Sequence, residues 1–269
     1  MRQKSLYAFY LKGVQYEELA KTLEKIIKNK KPDPNKEKTE GFINFQVGPI
    51  ISDNDLSNVS EYIYFEFYRS DFKEKTDPLG VAYKDPIKEL VPIAITKEPF
   101  MLMVFTPNFQ LRDHILSELQ PSIEPKYRNG LGFSPDFIEF INVPNPEEWM
   151  EIVFSDEIEP RGRKGKKGTT HEIIERYSGP EERDKDLERK EKGYVFREFA
   201  EVVVALENTS VKLKIYQDGK ITAMIEGIKL FHAVPYIAQA LKVLKDAEKR
   251  YYDLKKSAQG EEGNGENSG

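Results

Sequence analysis

Five cations fall within seven residues at Arg161, Arg163, Lys164, Lys166 and Lys167, with Gly162 and Gly165 between them. Charge at this density neutralises phosphates, and the glycines let the backbone approach a phosphate surface, so the run reads as a nucleic-acid contact. A blander reading competes with it. Ser155 to Lys192 holds eleven acids and eleven bases, so the run is also what a solvated, internally balanced segment would contain. A second set is Tyr62, Tyr64 and Tyr68, which share one face of a strand with Glu66. Aromatics on a sheet stack on bases or form an interface with another chain. Only Arg69 supplies a neighbouring cation, so packing between sheet and helix is the competing role.

The three histidines carry less. His171-Glu172-Ile173-Ile174-Glu175 has a glutamate where a helical zinc motif has its second histidine, and no third ligand follows at a known spacing. His114, after Asp113, falls a third of a turn off an apolar helical stripe and reads as a flank histidine. His232, just ahead of the last helix, reads as a partner for a backbone group. There is no nucleophile elbow, no phosphate-binding Gly-Lys loop and no dinucleotide fingerprint. Gly130-Leu131-Gly132 lies between prolines and opens no helix. Asp53 with Asp55, and the acids from Glu181 to Glu191, sit in polar stretches. Pro135-Asp136 would begin a strand without the Glu-x-Lys partner of a nuclease site. Hence no catalytic residue, metal or cofactor is assigned.

Composition narrows the classes further. The chain has 269 residues, a net charge of −5, no cysteine, and 39% hydrophobic against 32% charged residues. Without cysteine there is no disulfide, thiolate nucleophile or zinc-thiolate site. Abundant Lys and Glu without Cys is also a heat-adapted composition. The acidic balance makes any contact with nucleic acid or anionic lipid a local one. No apolar run reaches about 18 residues, the least a membrane helix needs. Ser5 to Leu11 follows a basic start but has no small-residue cleavage site, so it reads as a strand and not a leader. The expected setting is the cytoplasm, with no membrane partner.

The positioning elements follow from periodicity. Leu6 to Leu11 is apolar on both faces, as in a central strand. Gln15 to Asn29 is a helix burying Tyr16, Leu19, Leu23, Ile26 and Ile27, with Glu17–Lys21 and Glu24–Lys28 pairs outside. Lys30 to Glu40 is a solvated loop. Phe42 to Val47 is a strand with Ile43, Phe45 and Val47 inward. Tyr62 to Arg69 turns Ile63, Phe65 and Phe67 the other way from the tyrosines. Asp71 to Pro92, with three prolines, is irregular. Ile93 to Thr96 and Phe100 to Phe105 are strands, and Thr106-Pro107 starts a helix to Gln120 that buries Leu111, Ile115, Leu116 and Leu119.

Pro121 to Pro144, rich in proline around one strand at Phe137 to Val143, is the seam between halves. Asn145-Pro146-Glu147-Glu148 begins a helix with Trp149, Ile152 and Val153 inside. Tyr194 to Glu207 fits a helix better than a strand, because Val195, Phe199, Val202, Val203 and Leu206 share a stripe.

Val211 to Ile225 is a hairpin. A two-residue turn would pair Ile215 with Thr222 and split the apolar residues between faces. A bulged three-residue loop, Gln217 to Gly219, pairs Ile215 with Ile221 and puts Val211, Leu213, Ile215, Ile221, Ala223 and Ile225 together. The apolar pattern selects the latter. A long helix then carries Val234, Ile237, Leu241, Leu244, Ala247, Tyr251 and Leu254, with Pro235 in its first turn. Gln259 to Gly269 has no large apolar residue and is expected to be disordered.

The expected fold is α+β. Residues 1–125 and 126–257 form two halves of antiparallel strands, each closed by an amphipathic helix and sharing a mixed core. A charged insertion spans 155–192 and a tail spans 258–269. The function expected is a non-enzymatic binding or regulatory protein, contacting nucleic acid through Arg161 to Lys167. The alternative is an interaction or assembly subunit that meets another protein chain through the tyrosine face or the last helix.

Overall fold

A computed structural model describes residues 4–11, 15–33, 35–47, 61–123, 131–142, 145, 147–160, 199–207 and 209–262. They form an α+β protein of antiparallel strands and helices. The chain divides into two compact units. One comprises residues 1–131 with 225–239, the other 132–224 with 240–269.

The first unit contains β1 (Lys4–Tyr10), α1 (Tyr16–Asn29), β2 (Thr39–Val47), β3 (Tyr62–Thr76), β4 (Ala82–Thr96), β5 (Met101–Val104) and α2 (Phe109–Ile123). Its strands lie in the order β2-β3-β4-β5-β1. One core is formed by the stripes of α1 and α2 with Phe42, Ile63, Phe65, Phe67, Ile93 and Ile95, all buried. Strand alternation on β3 is as the sequence implies, with Ile63, Phe65 and Phe67 inward.

Three local expectations change in this unit. β2 carries a bulge between Ile43 and Gln46, where Asn44 has φ +57°. The extra residue puts Phe42 opposite Phe67 in the core and turns Ile43 outward opposite Glu66, while Phe45 stays inward and Val47 ends 53% exposed. Asp71 to Pro92 is not irregular, because β3 and β4 pair without a break from Tyr62↔Thr96 to Thr76↔Ala82. Pro86 and Pro92 fit because they face the side of β4 away from β3, where Pro86 lies beyond the β5 pairing and Pro92 is needed only as an acceptor, its carbonyl taking the Phe105 N–H at 2.9 Å. Pro78 sits in the turn. The cap of α2 is Asn108 and not Thr106: Asn108 Oδ1 accepts from the N–H of Gln110 at 3.0 Å and of Leu111 at 3.2 Å.

The second unit contains α3 (Pro135–Asn142), α4 (Glu147–Phe154), β6 (Ile158–Pro160), β7 (Phe199–Leu206), β8 (Thr209–Tyr216) and β9 (Ile221–Met224). Its strands run in the order β9-β8-β7-β6. The expected strand at Phe137 to Val143 is the helix α3. Phe137, Ile138, Phe140 and Ile141 are all buried, at a helical spacing that strand alternation leaves unexplained, and Ser134 Oγ accepts from the N–H of Phe137. The expected helix at Tyr194 to Glu207 is the strand β7 over its described part. Ala200, Val202 and Val204 are buried, while Glu201 on the opposite face meets Lys212 at 2.6 Å and Lys214 at 3.3 Å. Those cross-strand partners make Glu201 compatible with a strand. On α4 the buried residues are Met150, Val153 and Phe154, and Ile152 is exposed.

The hairpin has the register its apolar pattern selects. Ile215 pairs with Ile221, Gly219 has φ +80°, and the six apolar residues are buried. The last helix, α5 (Leu230–Glu262), starts earlier than expected, so Pro235 lies inside it and His232 in its first turn. It also continues to Glu262, into the segment expected to be disordered. Ile237, Leu241, Leu244 and Ala247 are fully buried.

Candidate functional site

The cations of the basic run, Arg161, Arg163, Lys164, Lys166 and Lys167, lie outside the described residues, as do His171, Asp53, Asp55, Gly130 and Glu181 to Glu191. The tyrosines are in view. Tyr62 is buried and Tyr64 half-buried, both edge-on to Phe231 of α5, at ring separations of 5.3 and 4.9 Å. Burial pushes the Tyr62 hydroxyl up to about 12. The phenol of Tyr64 is raised as well, by burial and then by its 2.9 Å hydrogen bond to Glu66. Phe231 therefore covers two of the three rings within the chain, and Tyr68, further along β3, is half-buried.

The first unit brings together a group that periodicity alone does not show. His114 and Glu118 stand one turn apart on α2, facing Glu40 on β2. His114 Nε2 lies 3.0 Å from both carboxylate oxygens of Glu40, and ligand atoms of Glu40, His114 and Glu118 all lie within 4.8 Å of one another. The Phe67 ring meets the imidazole edge-on at 5.7 Å. Lys30, at the end of α1, holds Glu118 through Oε2 at 2.7 Å and through its backbone carbonyl at 3.1 Å.

Glu40 is placed by a close backbone approach. The N–H of Phe42 donates to the carbonyl of Lys30 at 2.9 Å, and a Cβ on the intervening Gly41 would lie 2.1 Å from that same oxygen. Only glycine lets β2 dock there.

His114 also lines an open cleft of about 230 Å³ with Arg69, Asp71, Ile87, Glu89, Asn108 and Leu111. Its most perturbed group is Asp71. Lys38 at 2.9 Å, then the Phe72 N–H at 2.7 Å and Arg69 at 3.3 Å, hold its carboxyl down at about 2. Chemically, this corner offers one imidazole and two carboxylates beside a small polar cleft.

The His114/Glu118 spacing was visible in the sequence. Glu40 was not, because it falls in what reads as the solvated Lys30 to Glu40 loop.

The third feature is the far half of the β3–β4 hairpin. β2 pairs with β3 only up to Ser70, and β5 pairs with β4 only from Ile93. Residues 71–76 and 82–87 thus run on as a two-stranded ribbon. At its tip Leu79 is 88%, Val81 60% and Tyr83 48% exposed. The turn itself is well made: Asp77 Oδ1 accepts from the N–H of Leu79 and Val81, and Gly80 has φ +84°.

A comparison with protein-family models finds no match to this chain, and a comparison with curated proteins finds none either.

Proposed function

We propose that this chain is a non-enzymatic binding and assembly protein that docks on another protein through the tip of its β3–β4 ribbon. The carrying observation is the exposed apolar set Leu79, Val81 and Tyr83, held on an ordered turn. Three such residues together favour a partner that removes them from water. Charge argues for protein over nucleic acid at this place. Residues 71–88 carry four acids and four lysines, leaving no net charge for phosphates. Pro86 disfavours strand addition along the ribbon part of β4, so the contact is through side chains entering a partner pocket. The cleft at His114, at about 230 Å³, is smaller than the roughly 300 Å³ at which small-molecule sites begin.

A photo-crosslinking side chain placed at position 79 should give a discrete protein adduct in cells, and one at the exposed Glu148 should not. Changing Leu79, Val81 and Tyr83 together to Ser should abolish association while the thermal melt stays in place. An adduct that forms equally from both positions would count against the ribbon.

A second reading rests on the sequence run Arg161 to Lys167, as a contact for nucleic acid. The two separate by salt: an apolar docking contact persists at high salt, whereas phosphate contacts weaken by about 0.9 in log K per contact for each tenfold rise in salt.

A further inference from the structure

The corner at Glu40, His114 and Glu118 has a chemistry that the binding function does not use. Its ligand atoms come from two elements fixed independently, α2 by its Asn108 cap and β2 by its docking on the Lys30 carbonyl. A divalent first-row ion takes imidazole nitrogen and carboxylate oxygen at about 2.0–2.2 Å, which puts neighbouring ligand atoms a little over 3 Å apart. His114 Nε2 and Glu40 are already 3.0 Å apart. Glu118 has its ligand oxygen within 4.8 Å of both and needs only a side-chain adjustment.

Charge agrees. Two carboxylates and a neutral imidazole match a dication, and the cleft beside His114 leaves an open side for water or an anion near Arg69. What now fills the site electrostatically is Lys30 on Glu118 and the imidazole N–H on Glu40. We propose that Glu40, His114 and Glu118 form a binding site for a divalent transition-metal ion of the zinc class, with Lys30 as a competing internal cation.

The competing account is a surface ion pair between protonated His114 and Glu40. The groups facing His114 are Glu40 from β2, Glu118 from α2, Lys30 from the end of α1, and Arg69, Asp71 and Glu89 across the cleft. Metal binding requires the neutral imidazole and ionised carboxylates, so protons compete with the ion and affinity falls in acid.

The test is calorimetric titration of the full chain with Zn²⁺, supported by the visible spectrum with Co²⁺. One site per chain is expected, weakened at least about tenfold by each of His114→Gln, Glu40→Gln and Glu118→Gln, and weakened again at about pH 5. Lys30→Met should tighten binding several-fold by releasing Glu118, a gain that partial unfolding cannot produce. His171→Gln is the control and should change nothing. The proposal is overturned if the parent shows no saturable binding, if binding follows His171, if His114→Gln and Glu40→Gln bind as the parent does, or if Lys30→Met fails to tighten it.

Discussion

Asp71 shows how much one side chain reports on its surroundings. Lys38, then the Phe72 N–H and Arg69, stabilise its charged form in the fold. Its folded value of about 2 lies below the ordinary carboxylate value of 3.8, so its contribution to stability is present above about pH 4 and is lost as the pH falls towards 2. Lys38→Met should raise the Asp71 titration seen by carbon-detected NMR; an unchanged midpoint would remove Lys38 as its main partner. Gly41 is the other telling residue. A methyl group there meets the Lys30 carbonyl and the Pro32 nitrogen, both backbone atoms that cannot swing aside. Gly41→Ala should cost about 3 kcal/mol or more in chemical denaturation, which outweighs the roughly 0.4–1 kcal/mol gained by stiffening the unfolded chain. The sequence shows a glycine at 41 but not what approaches it, so this constraint and the position of Glu40 beside it were invisible there.

At the scale of elements, what was legible followed from pattern strength. The Val211 to Ile225 hairpin has six alternating apolar residues and one glycine where a left-handed turn is needed, so register and loop type both followed. The last helix has a long stripe, and Leu241 and Leu244 on it are fully buried. Leu241→Ala or Leu244→Ala should each cost about 2–5 kcal/mol, measured as a shift in denaturant midpoint at constant slope. A cost under 1 kcal/mol would mean that the surroundings collapse around the smaller side chain. β7 and α3 failed for the opposite reason. Each is eight residues long, where helical and strand periods match almost equally well, and the deciding contacts are distant in sequence: Glu201 with Lys212 and Lys214, and Phe140 with Tyr251 at 4.7 Å. The ribbon was hidden by its prolines, which read as loop signals but are tolerated on an uncovered strand edge. Of the candidate sites, the tyrosines were placed on the correct strand face, but Phe231, which covers two of them, lies more than 160 residues further along.

At the scale of the molecule, the question is which parts fold and which parts bind. β6 pairs antiparallel with β7, Ile158 with Val204 and Pro160 with Val202, so the strand ends flanking residues 161–198 are neighbours in one sheet. A segment whose ends already lie together can be excised without moving either strand. Replacing residues 161–198 by a Gly/Ser linker of about six residues shortens that closure about sixfold, which on chain entropy alone should raise stability by about 1–2 kcal/mol. Cooperative unfolding should persist at an unchanged or higher temperature by circular dichroism. The same excision removes all five cations of the basic run and leaves the ribbon intact. Gel-shift titrations with duplex DNA, single-stranded DNA and RNA at two salt concentrations then compare the parent with the excised chain, and crosslinking from position 79 is measured on both. Docking through the ribbon predicts an undiminished adduct after excision. A nucleic-acid role for the run predicts a salt-sensitive shift by the parent that the excised chain has lost. A melt that loses its cooperativity would instead show that residues 161–198 belong to the folded core, and neither binding result could then be assigned to a separable segment.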